Sequence, residues 1–142
     1  MVNFKTITRI IGILLLLETA MLLACSGISL YYQDEALTDF WKSAGIAAGV
    51  GILLVLLGKG SDGVLTRRDG YVLVSLAWIA FSFFGMLPFY ISGYIPDITN
   101  AFFETMSGFT STGATILDNI ESLPHGLLFW RSMTQWIGGL GI

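Results

Sequence analysis

One cysteine, one histidine and three prolines among 142 residues exclude several kinds of function at the outset. Cys25 stands alone inside an apolar run, so neither a disulfide framework nor a metal site can be built from this chain. A membrane enzyme needs convergent catalytic groups, and His125, Cys25 and scattered carboxylates form no nucleophile–base pair, so the chain reads as a non-enzyme. Charge is also sparse, at 12% of residues, and the few cations make no basic patch for nucleic acid. What fills the sequence instead is apolar: 54% of residues, with a mean hydropathy of +0.75. That composition fits a polytopic membrane protein, whose first partner is the lipid bilayer, better than a soluble domain.

Four apolar segments follow one another. The first, from about Ile7 to Tyr31, is long enough for a hydrocarbon core that takes about 20 residues of helix. The second, Trp41 to Gly58, carries Gly45 and Gly49 at GxxxG spacing with Ala44 and Ala48 beside them, the pattern of a helix-packing seam. These two make an N-terminal transmembrane helix pair over residues 1–58, joined by a loop at 59–70 to a second unit at 71–142. The third segment, helix 71–94, contains Pro88 near its end, where a kink or early exit is expected. The fourth begins at about residue 126 and is still apolar at Ile142, so the chain is expected to stop inside a helix.

Charge placement orients the chain. Lys5, Arg9, Lys59, Arg67 and Arg68 fall on one side if the N-terminus is cytoplasmic and segments one to three each cross, as the positive-inside rule requires. The opposite loop carries Asp34, Glu35 and Asp39. Lys5 and Arg9 followed by an apolar run and Leu22-Leu23-Ala24-Cys25 also look somewhat like a lipoprotein signal. Glu18 inside that run is unusual for a signal, and a retained helix is the preferred reading.

The run Ser107-Gly-Phe-Thr-Ser-Thr-Gly-Ala-Thr115 is a polar, glycine-bearing island among these segments. Before it, a half-helix 98–108, capped by Asp97 or Thr99, would be about 16 Å long at 1.5 Å per residue, half a bilayer. Phe102, Phe103 and Met106 are expected to face neighbouring helices, and Gly108 to end the helix. Non-helical backbone at membrane depth survives only when buried in protein or lining a water-filled cavity. The half-helix is therefore read as re-entrant, its negative dipole end aimed at a cation near mid-membrane.

The filter segment 110–115 has no charge, only carbonyls and hydroxyls, which suit a dehydrated monovalent cation rather than a divalent one. Gly113, able to adopt positive φ, lets successive carbonyls share an axis. Asp118 and Glu121 follow, and can either draw cations to the outer mouth or serve as solvated loop residues.

The order helix, half-helix, Ser111-Thr112-Gly113-Ala114-Thr115, helix resembles the pore unit of potassium channels, with these five residues standing where such channels carry TVGYG. Asn100-Ala-Phe-Phe-Glu104, Ser107 to Thr115, Ser122-Leu-Pro-His125, Phe129-Trp-Arg131 and Gln135-Trp-Ile-Gly-Gly-Leu-Gly141 resemble more closely the membrane subunit of the Trk/Ktr potassium-uptake family, Trk branch. Ile7-Thr-Arg-Ile10 and Arg68-Asp-Gly70 fit as well, so the resemblance spans nearly the whole chain.

That resemblance implies an all-α polytopic membrane protein with an N-terminal helix pair plus the first helix–pore-loop–helix unit of a potassium-channel-like fold. It implies four nonidentical repeats around one axis, so that this N-terminal fragment supplies one of four filter walls and the remaining three repeats complete the pore. It further implies a homodimer, a cytosolic nucleotide-binding regulatory subunit and a bacterial inner-membrane location, with potassium as the transported ion and no organic cofactor in this chain. Carried over by residue, Ser111 and Thr112 match potassium-contacting carbonyl positions, Gly113 matches the glycine associated with potassium selectivity, and Ala114 takes the outermost position. Ser111 departs from the threonine common there but keeps a hydroxyl. Glu18, Glu104, His125 and Arg131 receive no transferred role, and their expected parts are structural or interfacial. Two other readings stay open: a subunit that assembles as four copies of one chain, and a nonconducting membrane scaffold.

Overall fold

The computed structural model describes residues 3–33, 37–60, 63–112, 114–115 and 124–139. Helices account for nearly all of it: α1 (Phe4–Tyr32), α2 (Leu37–Leu57), α3 (Arg67–Gly85), the short α4 (Leu87–Ile91), α5 (Ile98–Phe109) and α6 (His125–Gly139). Three spans, Phe4–Tyr32, Leu37–Leu57 and Arg67–Ile91, are long and apolar enough to cross a membrane. The protein is an all-α polytopic membrane protein.

Each boundary has a local cause. The Asn3 side chain accepts the Thr6 N–H to open α1. Thr66 and Asp69 form a reciprocal capping box at the start of α3, satisfying two of the N–H groups that a helix end leaves open. The third span breaks at Met86, just before Pro88, which has no N–H to offer the helix. There the indole N–H of Trp130 donates to the Gly85 carbonyl at 2.9 Å, so α6 takes up an acceptor at the break.

The core lies where α1, α3, α5 and α6 meet, around Leu22, Phe81, Phe109, Leu127 and Trp130. Phe109 contacts Phe81 and Trp130 at ring-centroid distances of 5.4 and 6.3 Å. At the far end of α1, Tyr32 stacks on His125 at 4.0 Å, setting the C-terminus of α1 beside the N-terminus of α6.

The α1–α2 seam differs from the expected one. Gly45 and Gly49 face outward, and a Cβ on either would meet nothing within 4 Å. The buried stripe of α2 is Phe40, Ser43, Ala44, Ala47 and Gly51. Its closest approach is Gly12 against Gly51, where a Cβ on Gly12 would stand 2.7 Å from the Gly51 carbonyl oxygen. Small residues do make the seam, but on a neighbouring face of the helix.

Candidate functional site

The half-helix α5 opens with the Asp97 carboxylate accepting the Thr99 N–H at 2.8 Å and runs twelve residues, about 18 Å. Its inner end stops near the middle of the bundle. A Cβ on Gly85 would meet Oε1 of Glu18, halfway along α1, together with the Thr105 methyl and the Phe109 ring.

Small and polar residues hold α5 in place. Ala101, Glu104, Thr105, Ser107 and Gly108 are buried, together with Phe109 at the helix end. Phe103 is 44% exposed, contrary to the expectation that it faces a neighbouring helix, whereas Phe102 is half-buried against the core and Met106 accepts the Ser82 hydroxyl of α3 at 3.3 Å. The reason is close approach. A Cβ on Gly108 would collide with the Thr134 hydroxyl, and one on Gly138 would collide with the Phe109 carbonyl, so α6 passes directly against the half-helix backbone.

Glu104 is the polar centre of this contact. Arg131 Nε on α6 donates to Glu104 Oε1 at 2.7 Å, and the Thr115 hydroxyl lies 2.9 Å from both carboxylate oxygens. The Glu104 side chain is 1% exposed and that of Arg131 16%. A buried charge is tolerated when paired and hydrogen-bonded, and this pair fixes half-helix, turn-back segment and α6 relative to one another.

The turn-back segment is built from its own hydroxyls and backbone. Ser111 and Thr112 donate their N–H groups to the Gly108 and Ser107 carbonyls, each at 3.0 Å. The Thr110 hydroxyl donates to the Met106 carbonyl at 2.8 Å and lies 2.9 Å from that of Thr112. Ser107 donates its hydroxyl to the Ala114 carbonyl at 2.6 Å, closing a loop of seven residues. Ser111 takes φ +60°, a left-handed conformation that costs a non-glycine residue about 1–3 kcal/mol and gathers at functional sites.

Of the residues singled out in the sequence, Ser111, Thr112 and Ala114 lie together and exposed on this segment, with Thr115 beside them. Gly113, Asp118 and Glu121 lie outside the described residues. A structural Glu104, buried and bonded to a nearby hydroxyl, is what the sequence leads us to expect, and Thr115 supplies that hydroxyl. Sequence reasoning missed its pairing with Arg131, although an arginine in an apolar helix calls for a counter-charge and Glu104 is the acid on the half-helix. It also missed the Ser107–Ala114 bond, which no spacing rule announces.

The arrangement thus presents uncharged oxygens on a rigidly buttressed strip at the inner end of a half-length helix. Comparisons with known proteins agree on a single family. Residues 44–142 match TrkH, described as a cation transport protein. The chain is 40% identical over 142 residues to the Trk system potassium uptake protein TrkH of Escherichia coli (strain K12), covering 99% of this chain and 29% of that protein. It is 32% identical over 141 residues to the Trk system potassium uptake protein TrkG of the same organism, with the same coverage. The crystal structure of the potassium transporter TrkH from Vibrio parahaemolyticus superposes with a TM-score of 0.91 at 36% identity, over 99% of this chain and 30% of that one. The chain spans about three-tenths of the length of these relatives.

Proposed function

The chain belongs to the TrkH family of cation transport proteins, and from that premise we propose that it supplies one wall of a potassium-selective pore used for potassium uptake. One observation carries the reading: a twelve-residue helix ending near mid-bundle is followed by an exposed, uncharged strip whose position is fixed from behind by Glu104, Arg131 and Thr115. Residues 110–115 form the filter segment, between third and fourth membrane helices within the unit 71–142. Ser111 and Thr112 offer the ion backbone carbonyls, Gly113 permits the turn between them and Ala114, and the Ala114 carbonyl, held by Ser107, fixes the outer end. Potassium is cargo here, recognised by oxygens that replace its water. Asp118 and Glu121 raise the cation concentration at the mouth.

The pore is completed by three further repeats of the whole protein, which works as a homodimer with a cytosolic nucleotide-binding regulatory subunit. It sits in the bacterial inner membrane with the N-terminus cytoplasmic, because Lys5, Arg9, Lys59, Arg67 and Arg68 gather at one end of the bundle.

Complementation tests this reading. The complete gene product is expected to restore growth of potassium-uptake-deficient bacteria at low potassium, and Gly113→Ser to lower the rubidium-to-sodium uptake ratio by tenfold or so, about 1.4 kcal/mol. Equal rubidium and sodium uptake by the unmodified protein would overturn the claim of selectivity.

A further inference from the structure

Five cations come from three separate stretches of chain, and the fold brings them to one end of the bundle. Asn3 donates its backbone N–H to Asp69 Oδ1 at 2.9 Å and its side-chain amide to the Val64 carbonyl at 3.2 Å, tying the start of α1 to the start of α3. Gly58, at the end of α2, packs on Arg9, and a Cβ on Gly60 would stand 3.6 Å from the Lys5 ammonium. Lys5, Arg9, Lys59, Arg67 and Arg68 are all exposed there, and among the described residues none is ion-paired. Asp69, the carboxylate at this end among the described residues, is buried and occupied by the N–H groups of Asn3 and Thr66.

What lies beside the cations narrows the choice of partner. Phe4 is 65% exposed, Val64 62% and Leu65 39%, so apolar side chains stand in the same surface as the cations. All three membrane-length spans terminate here, which sets the group at headgroup depth. An acidic protein docking from water would meet the charges and leave the three apolar side chains without a partner. A lipid has both parts in the right order, an anionic headgroup for the ammonium and guanidinium groups and acyl chains for the apolar ones.

We propose that this end of the bundle is a binding surface for an anionic phospholipid, its phosphate held among Lys59, Arg67 and Arg68 with Lys5 and Arg9 at the flank. The Asn3–Asp69 latch makes the surface preorganised, since it fixes α1 and the α2–α3 loop before lipid arrives. Near an anionic membrane surface each such cation contributes about fivefold in affinity.

The test is native mass spectrometry of the full-length protein in detergent, titrated separately with dioleoylphosphatidylglycerol, dioleoylphosphatidylcholine and glycerol 3-phosphate. Phosphatidylglycerol should bind tenfold or more tighter than phosphatidylcholine, and Lys59→Gln, Arg67→Gln and Arg68→Gln should each weaken it about fivefold. The charge-retaining set Lys59→Arg, Arg67→Lys and Arg68→Lys should stay within about twofold of the parent, and the single neutral variants keep four of the five cations, so insertion and folding are preserved. Phosphatidylglycerol binding unchanged by all three neutral variants, or no tighter than phosphatidylcholine, overturns the proposal and leaves the cations to an acidic protein. Glycerol 3-phosphate binding as tightly as the lipid would make this a free-anion site and overturn it equally.

Discussion

The half-helix meets α6 and α3 in different ways. Against α6 it offers Glu104, bonded to Arg131 and Thr115, and backbone laid directly on Gly138 and Thr134. Against α3 its Thr105 and Phe109 meet Gly85 together with Glu18 of α1, which is fully buried and whose two carboxylate oxygens have no hydrogen-bond partner among the described residues. Both glutamates sit inside a membrane protein, yet only one is tied to its surroundings. Paired groups specify a geometry because any displacement breaks a directional bond, whereas a buried carboxyl without a partner costs desolvation and fixes no direction. The α6 side therefore sets where the proposed filter segment stands, and the α3 side, with Glu18 behind it, is held by packing and by the Ser82 hydroxyl on Met106.

Breaking the bonded side should cost most. Glu104→Ala leaves the Arg131 guanidinium without its counter-charge, and Arg131→Ala leaves a buried carboxylate, so each should destabilise by about 3–5 kcal/mol. The double variant should cost less than the sum of the two, with a coupling of about 0.5–3 kcal/mol, read from the melting temperature of the full-length protein and from rubidium uptake. Additive losses would show that the pair is incidental to the fold. The contrast between the two sides would then fail.

Glu18→Gln probes the other side with nearly the same shape. Because no partner is lost, its effect on melting should stay within about 1 kcal/mol of the parent, and the rubidium-to-sodium ratio should not move. A loss as large as that of Glu104→Ala would mean that Glu18 is held as firmly as Glu104 and that the α3 side also positions the proposed filter segment.

Much of this contrast was hidden in the sequence. Run lengths and Pro88 announced the spans, and the eleven or twelve residues after Asp97 announced a half-helix, since both follow from distances along one helix. The strip Ser111 to Ala114 was legible as chemistry because lipid excludes irregular backbone that serves no cavity. Partners across helices were not legible in the same way. Glu104 and Arg131 are 27 residues apart, and nothing local reports that their helices touch. Phe103 was expected to face a neighbouring helix and is 44% exposed, since in lipid an apolar side chain gains little by turning from acyl chains to protein. Small residues such as Gly108 and Gly138 take the closest backbone approaches, while Phe109 and Trp130 fill the core beside them.

The same reasoning orders the glycines of α2, where the smallest effect is expected. GxxxG spacing identifies a face from which a neighbour can approach closely, but it does not say which small residues the neighbour uses. In this fold α1 uses Gly51, so a Cβ there would stand 3.0 Å from the Gly12 carbonyl oxygen, and Gly51→Ala should destabilise by about 1–3 kcal/mol through overpacking. Gly45 and Gly49 have open space around them, and Gly45→Ala or Gly49→Ala should change stability by no more than about 0.5–1 kcal/mol, with alanine's better helix propensity favouring a gain. Melting of the full-length protein in detergent checks both. Loss at Gly45 or Gly49 comparable to that at Gly51 would mean that a second helix covers the outer face of α2 in the complete protein.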